Sequence, residues 1–400
     1  FAGDQYIYTL EQFMDDPELP QWDPDTVLPA MKQLLTWDGN WVGVPNDNDG
    51  QVMYYRKDIL NNSEYQADFE EEYGYPMPVP PKTVQHYLDV AEFFNGWDWD
   101  NDGSDDYGVS MHLKVGAQGM FHFMSWGAPY VVSPENSRFW FDAETFEPLI
   151  NSPGHVKALE DLMELVQYGP EGMIAWTLGE CWDLFLKGDA VLTFTWGDLG
   201  SLAQDEEESV VKGKLGVAQM PGTMRAYDAV DGRWVEFDEP NQVGNTTGGS
   251  WHGVISTLSD APRATYDYLS FMAIEENAFW NFTRGWTGVD PGRTFAFLEP
   301  YGTASVADYV EQDWNAEDVT EYTNAFYKNF SNELQLPYLM IPGANNYWRA
   351  MDVQLNEALS GQKSAKEALD LTYDNFQKIT DRNGREQQHQ LFLESLGLAD

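Results

Sequence analysis

Hydrophobic positions along the chain follow two alternating periods. Short runs rich in β-branched and aromatic residues, at 41–45, 52–56, 107–113, 190–196, 215–220 and 251–257, read as strands. Elsewhere apolar residues recur at helical spacing: 84–94 behind Thr83, 156–168 behind Pro153, and 266–282 behind Pro262. A last helix opens at Ser364, where Glu367 completes a capping box, and runs to about residue 379 ahead of Gly384. Strands alternating with helices predict an α/β fold. The Gly- and Asp-rich stretch 203–245 has weak periodicity and reads as a long excursion from one domain. The uncharged run 115–134 has the length of a membrane span. Its Gly116, Gln118, Gly119, His122, Gly127 and Pro129 argue against spanning.

Composition sharpens this picture. Four hundred residues exceed what one core usually serves, so two domains are expected. A hydrophobic fraction of 42% is ample for packed cores, which excludes a disordered acidic polymer. The formal charge is −44, from 66 acids against 22 bases. Such a field repels nucleic acid and anionic lipid headgroups, and neither is expected as a partner. The carboxylates also repel one another, and molar salt removes most of that cost by shortening the Debye length to about 3 Å. The charge therefore reads as adaptation to a salty environment, the alternative being an acidic protein of an ordinary host. Cys181 stands alone, so a disulfide framework and a cysteine zinc site are excluded, and it reads as a small buried hydrophobe.

Motifs for catalysis are absent. The chain has no Walker loop, dinucleotide glycine fingerprint, HExxH or Gly-x-Ser-x-Gly elbow, and its histidines have no ligand spacing. Tryptophan beside glycine and aspartate, by contrast, recurs in segments that read as loops. "FMSWGAPY" holds Trp126, "TFTWGDLG" holds Trp196 and Asp198, "TTGGSWHG" holds Trp251, and "RGWTGVDPGR" holds Trp286, Asp290 and Arg293. Sugars present an apolar C–H face and a rim of hydroxyls, which flat aromatics and Asp, Asn or Arg together complement. Each tryptophan alone reads equally well as core; the repeated context points to a carbohydrate cleft. In "WDWDNDGSDDYG", residues 97–108, Asp98-x-Asp100-x-Asp102-Gly103 has the spacing that opens an EF-hand calcium loop. The expected structural Ca2+ ligands are Asp98, Asp100, Asp102 and Asp106 with the Ser104 carbonyl. Position twelve is Val109 instead of glutamate, and solvated acidic surface is the alternative.

Five segments in one order then carry a resemblance: "DGNWVGVPNDNDGQVMYYRKDIL", "PKTVQHYLDVAEFF", "FLKGDAVLTFTWGDLGS", "GWTGVDPGR" and "IPGANNYWRAMDVQLNEALSGQKSAKEALD". Together they closely resemble the extracellular solute-binding proteins, family 1, of maltose/trehalose-type sugar ABC transporters. The resemblance implies a two-lobed, periplasmic-binding-protein-like (type II) α/β clamp with discontinuous lobes joined by a hinge. It implies no enzymatic activity and no cofactor for function. The expected lobes are 1–112 with about 258–335, the first strands being missing, and 113–257 with about 336–400; the hinges are expected near 110–115 and 255–258. Implied partners are a mono- or oligosaccharide and the permease subunits of an ABC importer. The receptor is expected to be a monomer outside the cell, anchored at the membrane through an N-terminal segment absent from this chain. By resemblance, Asp49 accepts sugar hydroxyls and Trp251 and Trp286 stack on the ring. Asp47, Trp126, Trp196, Asp198, Asp290 and Arg293 follow as further ligand residues, Asp290 and Arg293 reading equally well as a structural ion pair. A secreted carbohydrate-active enzyme (glycosidase or lyase) and a sugar sensor stand as alternatives.

Overall fold

The computed structural model describes residue 2, residues 5–285 and residues 287–398. A four-stranded mixed sheet runs in the order Tyr107–Ser110, Ala190–Thr195, Val52–Arg56, Leu215–Ala218. The first pair is parallel and the other two are antiparallel. The register Met53↔Phe194 and Tyr55↔Leu192 puts four side chains on one face; Val52↔Thr195 and Tyr54↔Thr193 occupy the other. Every residue of the two central strands is buried, as expected where both faces are covered.

Each face feeds its own core. Met53, Tyr55 and Phe194 join residues of the helices Val84–Phe93, Met120–Val131, Pro153–Leu165, Ala344–Leu359 and Ala365–Asn383. Val52, Tyr54 and Val217 join Cys181 and Phe185 of the helix Leu178–Lys187, apolar residues between 10 and 44, and others between 255 and 330. The second group has its own strand pair, Val44–Asp47 with Trp251–Gly253. The chain changes group within the strand Val52–Arg56, between 173 and 181, between 190 and 199, between 217 and 220, between 243 and 255 and between 330 and 336. This is the two-lobed α/β architecture, each lobe assembled from separate segments. The expected boundary at 112 falls inside a single core, because Val109, Met111, Leu113 and Phe121 pack together.

Several elements depart from the sequence reading. The helix expected over 266–282 is two, Pro262–Ala273 and Glu275–Phe282, because Ile274 adopts extended backbone (φ −62°, ψ 148°). The stretch 203–245 contains a hairpin, Thr223–Asp228 with Arg233–Asn241. The uncharged run holds Met120–Val131, a helix buried nearly all round, and no described helix is long and apolar enough to cross a membrane. The capping box at Ser364 forms as expected, its helix continuing to Asn383. Cys181 is fully buried, and burial pushes its thiol up to about 11.

Candidate functional site

Segments near 51, 245 and 329–335 are stitched together by side-chain amides. Gln51 donates its N–H to Asn245 Oδ1 (2.9 Å), and Asn245 Nδ2 donates to the Gln51 carbonyl (2.9 Å). Asn245 N donates to Asn329 Oδ1 (2.9 Å), and Asn329 Nδ2 returns a bond to the Asn245 carbonyl (2.8 Å). Gln335 Nε2 donates to the Asn329 carbonyl (2.7 Å). Gly50 is required here: a Cβ would stand 2.5 Å from the Phe330 ring and 2.6 Å from Asn329 Nδ2. None of these amides was singled out in the sequence, since Asn245 meets Gln51 and Asn329 across 194 and 84 residues of chain.

Beside this clasp the chain brings together carboxylates from distant segments. Asp47 ends the strand Val44–Asp47, and its Oδ1 accepts the Asp290 N–H at 2.7 Å. Asp290 Oδ2 accepts the Gly197 N–H at 2.7 Å, and Asn48 Nδ2 donates to the Asp290 carbonyl at 3.2 Å. Tyr54 and Tyr322 hold the same turn by donating to the carbonyls of Trp196 (2.8 Å) and Gly197 (3.2 Å). One oxygen each of Asp47, Asp49 and Asp290 lie within 4.8 Å of one another. Burial raises all three carboxyls well above the ordinary range. Neighbouring charge adds to this, from Asp198 on Asp47, from Asp47 and Asp198 on Asp49, and from Asp198, Asp47 and Asp49 on Asp290. Burial likewise lifts Asp198 to about 6.

Residues 246–250 cover Asp49, with Gly248, Gly249 and Ser250 all at positive φ. Trp196 Nε1 donates to the Thr247 carbonyl (2.6 Å), and the Tyr338 hydroxyl to the Gly248 carbonyl (3.3 Å). A cavity of about 500 Å³ lies between residues of the two cores. Leu34, Leu35, Trp37, Val42 and His252 line one wall, and Tyr338, Met340, Ile341 and Trp348 the other. A second, of about 450 Å³, shares Trp37, Tyr338 and Met340 and adds Asp38, Glu333 and Gln335. Both volumes suit a small organic solute, and both linings mix aromatic faces with a few polar groups.

A family model described as bacterial extracellular solute-binding protein matches residues 2–326. The chain belongs to that family. A mannitol-binding protein of Pseudomonas aeruginosa is 25% identical over 202 residues, a match spanning 49% of this chain and 40% of the relative's length. An ABC transporter solute-binding protein from Agrobacterium vitis, solved with bound D-mannitol, has a TM-score of 0.65 at 19% identity, over 96% of this chain and 82% of that one. Maltose-bound MalE3 of T. maritima has a TM-score of 0.65 at 19% identity, over 94% and 80% of the two chains. This extracellular solute-binding protein is therefore a member of a binding family, not of an enzyme family.

The residues singled out in the sequence fall into four groups. Asp47, Asp49, Asp290 and the Trp196–Asp198 turn come together as described. Trp251 stands 67% exposed on its short strand, opposite Asp47 in register. Trp126 is not at the cleft: it is 1% exposed, stacked on Phe194 (5.8 Å) and edge-on to Tyr87 (5.5 Å), because helix Met120–Val131 is buried whole. Arg293 forms no ion pair with Asp290; its guanidinium bonds Thr26 Oγ1 (2.9 Å) and the Ala273 and Asp23 carbonyls and lies over Phe295. It is a structural residue. Trp286 lies outside the described residues.

The acidic loop is ordered by its own carboxylates. Asp98 accepts the N–H groups of Asp102 (3.0 Å) and Gly103 (3.1 Å), and Asp102 that of Ser104 (2.8 Å). Asp106 Oδ2 accepts from Trp99 N (3.0 Å), while its buried Oδ1 has no donor. Oxygens of Asp98, Asp100 and Asp106 lie within 4.8 Å of one another, as do those of Asp100, Asp102 and Asp189. Burial, then Asp100, pushes Asp106 up to about 6. The all-oxygen donor set with an orphaned buried oxygen fits a hard cation. Asp189, which the loop's own spacing could not reveal, adds a carboxylate beside Asp100 and Asp102.

Proposed function

We propose that this protein captures a sugar or sugar alcohol between its lobes and delivers it intact to the permease of an ABC importer. The observation that carries the reading is the cavity of about 500 Å³ walled by both lobes of a solute-binding fold. The bound D-mannitol and maltose of the two solved structures support polyhydroxylated ligands. Trp251, next in the chain to His252 of the cavity wall, supplies an aromatic platform, and Asp49 and Asp198 accept hydroxyls once residues 246–250 move aside. Hinge bending takes place at 48–51, 244–250 and 331–336, beside the amide clasp, in place of 110–115 and 255–258. Delivery to a permease implies a monomeric receptor held near the membrane by an N-terminal anchor. The loop at 98–106 takes a structural calcium with Asp189 as an added ligand, and the excess of acid adapts the surface to high salt.

The test is calorimetric titration, in molar salt, with a panel of hexoses, disaccharides and alditols, followed by recovery of the ligand. A one-to-one isotherm with at least one member, returned chemically unchanged, is expected. No isotherm with any member, or cleavage of the recovered ligand, overturns the reading; cleavage would favour a carbohydrate-active enzyme.

A further inference from the structure

The two cavities between the cores differ in chemistry. The larger, of about 500 Å³, has no Asp, Glu, Lys or Arg in its lining, which is supplied mainly by residues such as Leu35, Val42, Ile341 and Leu391. His252 belongs to it, but burial lowers the imidazole to about 3 and keeps it neutral. Two of its hydroxyls have already given their protons elsewhere: Thr36 donates to the Lys32 carbonyl (2.9 Å) and Tyr338 to the Gly248 carbonyl (3.3 Å). A free sugar bears a hydroxyl on nearly every carbon, and each one desolvated without a partner is penalised. Such a lining favours apolar surface instead.

The smaller cavity, of about 450 Å³, has the opposite character. Asp38, Glu333 and Glu394 belong to its lining, with Gln33, Gln335 and Thr246. Carboxylates accept hydroxyl protons, and amides and hydroxyls both donate and accept, so this lining can satisfy a polyhydroxylated ring. The two cavities are neighbours. Leu34, Thr36, Trp37, Tyr338 and Met340 line both, Leu34 packed against one core and Tyr338 against the other. Taken together their volumes approach the upper end of the about 300–1,000 Å³ of ligand sites, more than a single hexose needs. Length alone does not explain the lining, because a longer free saccharide would set its hydroxyls against Leu35, Val42 and Ile341.

We infer that the solute is a sugar carrying an apolar substituent, an alkyl or aryl glycoside. Its hydroxylated ring occupies the cavity of Asp38, Glu333 and Gln335, and its substituent the cavity of Leu35, Val42 and Ile341. Trp37 and Tyr338, common to both linings, stand where ring and substituent join. The inference rests on the proposed capture of a solute between the lobes and narrows the chemistry of that solute.

Glycosides of glucose, mannose and maltose, each in methyl, hexyl and phenyl form at monomeric concentration, are titrated by calorimetry in molar salt beside the free sugars. In at least one series the hexyl or phenyl form is expected to bind one-to-one and at least about ten-fold tighter than the methyl form. Val254 lines the larger cavity and is 47% exposed, so Val254→Asp sets a carboxylate there without opening a core. That variant should lose most of the gain. Equal affinities within every series, or a gain that Val254→Asp leaves whole, overturn the inference. Free sugars that bind while the substituents add nothing sink this inference alone; silence of free sugars and glycosides alike sinks the solute reading with it.

Discussion

Trp251 is the residue at which the solute reading is most exposed to test. Two-thirds of its surface is open, so its ring contributes little to the core, and Trp251→Ala should leave the unfolding transition cooperative. If the ring is a platform for a sugar face, the same change weakens binding by about 1–3 kcal/mol, read by calorimetry. Unchanged affinity would remove Trp251 from the site. The buried histidines make a second prediction. Burial lowers His112 and His155 from their ordinary value to about 3, so both stay neutral in the folded protein. The unfolded chain binds a proton at each below about pH 6.5, and the fold therefore loses stability as pH falls from about 6.5 toward about 3, by about 1.4 kcal/mol per pH unit per histidine. Above that window they contribute no pH dependence. Because the buried aspartates respond with the opposite sign, the imidazole proton resonances are the direct readout. They should not titrate between about pH 8 and pH 5, and a shift centred near 6.5 would show that the rings are hydrated.

At the scale of elements, patterning revealed what depends on local sequence. The strand Val52–Arg56, the helix Val84–Phe93 and the Ser364 capping box carry their own periodicity or cap, and each appears close to its expected place. Helix Met120–Val131 was not legible because it is apolar on all sides and so has no amphipathic period. Trp126 was misplaced for the same reason: glycine beside tryptophan looks like a loop unless the helix around it is known. Convergence of Asp47, Asp49 and Asp290 was foreshadowed only by resemblance, since segments more than 240 residues apart meet through the Asp290 N–H and Asp47. The amide clasp of Gln51, Asn245 and Asn329 gave no advance sign, because single amides have no periodicity. That clasp is testable. Asn329→Ala leaves the backbone N–H and carbonyl of buried Asn245 without their partners, and should destabilise the protein by about 2–4 kcal/mol in denaturant titration. A loss below about 0.5 kcal/mol would mean that water replaces the amide and the segments are not held there.

For the molecule as a whole, charge and architecture make separate demands. Sixty-six acids against 22 bases repel one another over the whole surface, and the salt bridges present are too few to balance them. Raising salt from about 0.1 M to molar levels shortens the screening length from about 10 Å to about 3 Å, so the melting temperature should rise over that range. A flat or falling trend would remove adaptation to salt and leave the receptor reading intact. Architecture is tested by the solute. Two cores with a cavity walled by residues of both form, on the proposed function, a clamp whose closed state the ligand stabilises by binding both walls. Solution scattering of the protein in molar salt, with and without a saturating sugar identified by calorimetry, measures that closure directly. The account predicts a smaller radius of gyration in the saturated sample; superimposable profiles at proven saturation would contradict it.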